Sequence, residues 1–143
     1  MRVLGLDIGE RRIGVALSDP EGIIAGRLTT ISCCQTDQDM AAIFELAREN
    51  DAGLIVVGLP LSLDGSCGPQ AQKVLAFVDI LRQSSPVPIE TWDERLSTVA
   101  ADRIMGEMGV KRGKRKERRD SMAAAIILQE HLDAMRNRSQ SAG

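Results

Sequence analysis

Tyrosine is absent from this chain, and its aromatic residues amount to Phe44, Phe77 and Trp92, 2% of 143 residues. Three scattered rings are too few for the base-stacking platforms on which many single-strand binders rely. Histidine occurs once, as His131. That weakens any Ser-His-Asp or Cys-His scheme, since each needs a base beside its nucleophile. Cysteine occurs at Cys33, Cys34 and Cys67 only. An odd count argues against a disulfide framework, and an adjacent pair lacks zinc-ligand spacing, so the three are expected to be reduced thiols. No apolar run approaches the roughly 20 residues that a bilayer span requires. Met1-Arg2-Val3-Leu4-Gly5 leads straight into an apolar strand with no small-residue cleavage site. Neither a membrane partner nor a signal peptide is expected, and the protein is expected in the cytoplasm.

What is present is an ordinary globular composition, 43% hydrophobic and 27% charged. That excludes disorder of the whole chain and suits one core, expected as a single domain over residues 1–138 with a disordered tail at 139–143. The net charge of −2 conceals an asymmetry. From Lys111 to Arg119 the chain carries seven basic residues and one acidic, which leaves 11 basic and 19 acidic residues, a net of −8, for the rest. An acidic body with one dense cationic segment suggests a localised contact, most simply with a phosphate backbone, though a solvated loop would look the same. Gly109, Gly113 and the run of like charge predict a mobile loop that orders on nucleic acid, with Lys111, Arg112, Lys114, Arg115 and Lys116 as phosphate contacts.

Periodicity orders the rest. Val3-Leu4-Gly5-Leu6 is a continuous apolar run, as in a strand buried on two faces. Arg12–Ser18 alternates, Asp19-Pro20-Glu21-Gly22 is a turn, and Ile23 to Thr30 reads as a third strand, so the first thirty residues form an antiparallel meander. A helix capped by Asp37 or Asp39 should run to about Glu49, with Ile43, Leu46 and Ala47 on its apolar stripe. Leu54 to Gly58 is a buried strand, Pro69 starts a helix reaching about Gln83, and Val87 to Trp92 is a last strand. Ser97 should cap a helix to about Met108, and Asp120 should open a final helix to about Arg136. Right-handed crossovers then give a mixed α/β sheet, five-stranded, of order 3-2-1-4-5 and flanked by helices.

Asp7 ends the first apolar strand. An ionised carboxylate there needs a partner or a cation. If the first and last strands are parallel, Asp7 and Asp93-Glu94 share one carboxyl edge, and strand alternation lets only one of Asp93 and Glu94 face Asp7. Asp120 leads the helical stripe Ala123, Ala124, Ile127 and His131, where a helix N-terminus favours an anion. Singly, each acid has a plainer account: a turn, a solvated pair, a helix cap. Together they would repel unless a hard divalent cation, Mg²⁺ or Mn²⁺, joined them. Gly58 to Gly68, before Pro69, is either a phosphate-holding loop or a plain connection. Arg11, Arg12 and Arg95 would touch substrate or brace the carboxylates.

Gly5-Leu6-Asp7-Ile8-Gly9 with Arg12-Ile13-Gly14-Val15-Ala16 and Ser18-Asp19 resembles the opening motif of the YqgF/RuvX family. Gly58-Leu59-Pro60 with Asp64-Gly65 and Gly68, then Asp93-Glu94-Arg95-Leu96-Ser97-Thr98, and then Asp120 through Gln129 are similar in the same order. The resemblance spans about residues 1–136. It implies an RNase H-like fold related to RuvC-type Holliday junction resolvases. It also implies a nuclease with Asp7, Glu94 and Asp120 as catalytic and metal-holding residues, and structured RNA, in 5′-end maturation of the 16S ribosomal RNA precursor, as favoured substrate. In a two-metal scheme, with ions about 4 Å apart, Asp7 would bridge while Glu94 and Asp120 each complete one side. The alternatives are a resolvase of branched DNA, which needs a homodimer where an RNA nuclease can be a monomer, and a non-catalytic partner in ribosome assembly or transcription. Asp7-Ile8-Gly9 is also similar to a phosphate motif of actin-like ATPases and sugar kinases, but that superfold needs two domains and this chain supplies one.

Overall fold

In a computed structural model, residues 1–62, 64–94 and 114–142 are described, with the backbone alone for 114–120 and 139–142. Local pairing organises the start of the chain. Strands β1 (Arg2–Ile8), β2 (Arg12–Ser18) and β3 (Ala25–Ser32) form an antiparallel meander, with Leu6 opposite Val15 and Val15 opposite Thr29. Helix α1 (Thr36–Glu49) leads to β4 (Ala52–Leu59), and α2 (Pro69–Ser84) leads to β5 (Ile89–Asp93). β4 lies parallel to β1, with Leu6 beside Val57, and β5 lies parallel to β4, with Val57 beside Thr91. The order is β3-β2-β1-β4-β5, as the meander and crossovers predict.

Strand alternation divides the core in two. On one face Leu4, Leu6, Ile55 and Val57 pack against Ile43 of α1 and Val74, Val78 and Leu81 of α2. On the other, Val3, Ala16, Leu54 and Val56 meet Ala124, Ile127, Leu128 and Leu132 of helix α3 (Lys114–Ala142). Two glycines bring α3 close. A Cβ on Gly5 would lie 2.9 Å from Leu128 Cβ, and one on Gly58 would lie 2.6 Å from Ile127 Cδ1. Both separations are below ordinary carbon contact, so these positions are smooth because the helix occupies the space.

Several boundaries differ from the sequence expectation for physical reasons. β3 starts at Ala25, not Ile23, because Asp19 Oδ1 accepts the Ile23 and Ile24 N–H groups at 2.6 and 2.9 Å and draws them into the turn. α1 is not capped by Asp37 or Asp39: its N-cap is Gln35, and Asp39 Oδ1 instead accepts the Cys34 N–H at 3.2 Å. β5 starts at Ile89, after Pro88, whose carbonyl accepts the Ile55 N–H at 3.0 Å. The largest correction concerns α3. It begins at Lys114, so Asp120 stands in its second turn and does not open it, and residues 114–119 are helix where a mobile loop was expected. Lysine, arginine and glutamate are good helix formers, and their charge masks that propensity in a periodicity reading. The helix also runs on to Ala142, so the backbone of residues 139–142 is helical where a disordered tail was expected. The helix expected over Ser97–Met108 lies outside the described residues. Among the described residues no helix is long and apolar enough to cross a membrane.

Candidate active site

The carboxyl edge of the parallel strands gathers the acids. Val3 and Gly5 of β1 face α3, so Asp7, next in that alternation, does as well. Leu6 pairs with Val57, which sets Asp7 beside Gly58 one residue further along. On β5, Trp92 packs on the α3 side, so Asp93 stands on the opposite face. Glu94, just past the strand, returns to the α3 side and lies over Gly58: a Cβ there would be 3.4 Å from both Glu94 Cγ and Cδ. Asp7 and Glu94 thus meet on one face at one edge, and they are 7% and 6% exposed. Adjacent strands are about 4.8 Å apart, and the missing side chain at residue 58 leaves that interval to the two carboxylates.

Asp120 lies one turn before Ala124, whose carbonyl would be 3.3 Å from a Cβ on Gly5. Along α3, His131 is bonded to Glu90 near the start of β5, whereas Ile127 lies over Gly58 nearer the strand ends. The helix therefore runs antiparallel to β5, and Asp120 falls toward the edge that carries Asp7 and Glu94. Its side chain is outside the description, and among the described residues no three His, Cys, Asp or Glu side chains form a metal-holding group. The donor chemistry still suits a hard cation, because two carboxylates buried at one strand edge offer oxygen alone.

The predicted basic residues divide by place. Arg12 opens β2, where Ile13 pairs with Ile8, and Arg11 precedes it in the tight β1–β2 turn, so both stand at the acidic edge. Arg11 is exposed and its carbonyl accepts the Cys33 N–H at 2.8 Å. Lys114, Arg115 and Lys116 form the first turn of α3 on the approach to Asp120. Arg95, Lys111 and Arg112 lie outside the described residues. The segment before α2 closes on itself: Gly65 N donates to Ser62 O at 2.8 Å, and Asp64 Oδ1 accepts the Ser66 N–H at 2.9 Å. A cavity of about 440 Å³ opens between the β1–β2 turn and α2, lined by Ile8, Gly9, Glu10, Gln70, Lys73 and Val74.

Cysteine chemistry is disfavoured. All three thiols are free, and burial, with Asp39 and Cys34 nearby, pushes the Cys33 thiol up, away from the nucleophilic thiolate. Gly58 is the residue whose part the sequence reading missed. An isolated glycine closing the run Leu54-Ile55-Val56-Val57 was the available signal, since glycine inside a strand pattern often marks close approach.

The model of the family described as "RuvX: Holliday junction resolvase" matches residues 1–134. The chain belongs to the RuvX family. It is accordingly a nuclease, and its substrate is nucleic acid. A relative from Thermoanaerobacter pseudethanolicus, named "Putative pre-16S rRNA nuclease", is 46% identical over 139 residues, 96% of this chain and 100% of that protein. A relative of the same name from Chloroflexus aggregans is 50% identical over 135 residues, covering 94% and 95%. Among solved structures, RuvC of T. thermophilus in complex with Holliday junction substrate aligns with a TM-score of 0.61 at 17% identity, over 94% of this chain and 95% of that one. The Fowlpox virus resolvase in complex with junction DNA gives 0.55 at 10% identity, over 94% and 99%. These likenesses establish the fold, an RNase H-like sheet of the RuvC kind.

Proposed function

We propose that this nuclease is a divalent-metal-dependent endonuclease that matures the 5′ end of the 16S ribosomal RNA precursor in the cytoplasm. The observation that carries the chemistry is the burial of Asp7 and Glu94 on one sheet face, over Gly58. The names borne by relatives 46% and 50% identical over nearly their full length support the substrate. Asp7, Glu94 and Asp120 would hold Mg²⁺ or Mn²⁺, which when bound supplies charge neutralisation and Lewis acidity at the scissile phosphate. The protein's own part is to fix the carboxylates on packed strands and a packed helix, where their geometry survives thermal motion. Arg11 and Arg12 would orient the phosphate from the β1–β2 turn. Arg95, Lys111, Arg112, Lys114, Arg115 and Lys116 would hold the flanking backbone.

Recognition would be of backbone and shape. Phe44 and Phe77 pack against the core between the sheet and α1 and α2, and Trp92 stands edge-on to His131 with ring centroids 5.8 Å apart. All three rings are engaged in packing within the protein, which disfavours base stacking. One cut in one strand needs one site, so a monomer suffices and a homodimer is not required. The test is a paired cleavage assay on precursor rRNA particles and on a four-way DNA junction, with Mg²⁺ or Mn²⁺. Cleavage of the rRNA that is lost in Asp7→Asn is the expected result. Cleavage confined to the junction would overturn the substrate, and full activity of Asp7→Asn would overturn the site.

A further inference from the structure

Apolar contacts hold α3 against the sheet without direction, whereas polar contacts made by Gln129 and His131 grip its flanks. On the β3 side, Gln129 Nε2 donates to Ile23 O and Gln129 Oε1 accepts from Ala25 N, each at 2.9 Å. The side-chain amide thus substitutes for a strand neighbour, satisfying one donor and one acceptor on either side of Ile24. Nε2 also donates to Asp133 Oδ1 at 3.0 Å, which orients the amide. On the β5 side, His131 Nε2 lies 3.0 Å from Glu90 Oε2, and the ring is edge-on to Trp92. Residues two apart on a helix are separated by about 200° around its axis, so the contacts lie on opposite flanks. A roll of α3 in either direction stretches one of them, and hydrogen bonds weaken steeply with distance and angle where apolar packing does not.

We propose that Gln129 is a positioning residue: through α3 it sets the roll and register at which Asp120 meets Asp7 and Glu94. The proposal rests on the reading of Asp120 as the third acid of the site. Gln129 is about 13 Å along the helix from Asp120 at 1.5 Å per residue, too far to touch the chemistry itself. A small roll at Gln129 is carried by a stiff helix to Asp120, and a functional constellation tolerates only about 0.5 Å of error.

Gln129→Met keeps the length and helix propensity of the side chain and removes its hydrogen bonds to Ile23 and Ala25. Manganese binding is read by calorimetry on the folded protein, and kcat and KM are read on an RNA that the wild type cuts. The expected result is Mn²⁺ affinity weakened several-fold and kcat lowered about ten-fold, within the roughly hundred-fold that a misplacement of about 1 Å from a remote change can cost, at unchanged KM. Gln129→Ala, which removes the amide without setting a new acceptor against Ile23 O and Asp133 Oδ1, should show the same losses, and it carries the same readouts if Gln129→Met does not fold. A variant that melts earlier but binds Mn²⁺ and turns over as the wild type does would overturn the proposal, leaving Gln129 a stabilising residue only. Asp120→Asn separates the two readings. If it leaves Mn²⁺ affinity and kcat intact, the site assignment fails; if it impairs both while Gln129→Met changes neither, positioning alone fails.

Discussion

The two faces of the sheet are built from the same strands and do different work. The face under α1 and α2 is filled with large aliphatic side chains, Leu4, Leu6, Ile13, Ile55 and Val57, all no more than 1% exposed. The face under α3 is shallower, with Gly5, Ala16 and Gly58 where the other has leucine and valine, and it ends in Asp7 and Glu94. The difference shows how one sheet reconciles stability with the placement of Asp7 and Glu94. Bulk on one side supplies the hydrophobic free energy. Thinness on the other lets a helix lie close against the strands.

The comparison can be broken from either side. On the thin face Asp7→Asn should have the largest effect. If Asp7 holds the metal as proposed, its loss removes several kcal/mol of transition-state stabilisation, about a thousand-fold in rate, while the thermal midpoint stays near that of the wild type. On the thick face Leu81→Ala should do the reverse. Its cavity should lower unfolding free energy by roughly 2–5 kcal/mol, measured by urea denaturation, with cleavage per folded molecule unchanged.

Gly58→Ala tests where the faces meet. Its Cβ would fall 2.6 Å from Ile127 Cδ1 and 3.4 Å from Glu94. A stability loss of about 1–3 kcal/mol is expected from overpacking, together with a fall in kcat that Leu81→Ala does not show. Equal activity per folded molecule in the two variants would dissolve the distinction between the faces.

The smallest effect belongs to Asp19→Ala, in the β2–β3 turn at the end of the sheet away from Asp7 and Glu94. The Ile24 N–H first, then that of Ile23, holds the Asp19 carboxyl below its ordinary value of 3.8. Because the folded state favours the charged form, the stabilisation is present above that value and is lost as pH falls through the lowered folded pKa. The gap in melting temperature between wild type and Asp19→Ala should therefore be slight at pH 7 and narrow further in acid.

Much of this division was legible in the residues. The run Val3-Leu4-Gly5-Leu6 and the alternation from Arg12 to Ser18 carried the meander, and with it the strand order. Asp7 and Asp93-Glu94 stood out because acids ending apolar strands need an explanation. The choice between Asp93 and Glu94 waited on which face Trp92 takes, and that is set by packing against α3 and not by local pattern. The part played by Gly58 depends on the register of two parallel strands, which local pattern does not contain. The start of α3 was hidden because Lys114 to Arg119 has no apolar stripe: that turn is helical by propensity and by continuity with the packed helix behind it.

The chain order of the layers has a consequence for biosynthesis. The meander closes within the first 32 residues through short connections, and contacts so local form early. β4 and β5 then add in parallel, and each brings a helix to the thick face. α3 comes last. During vectorial synthesis the face that bears Asp7 stays uncovered until the segment holding Ile127 to Leu132 has emerged from the ribosome. If Asp120 supplies the third carboxylate as proposed, a nascent chain beside the RNA-rich machine that makes it gains hydrolytic competence only once this helix docks.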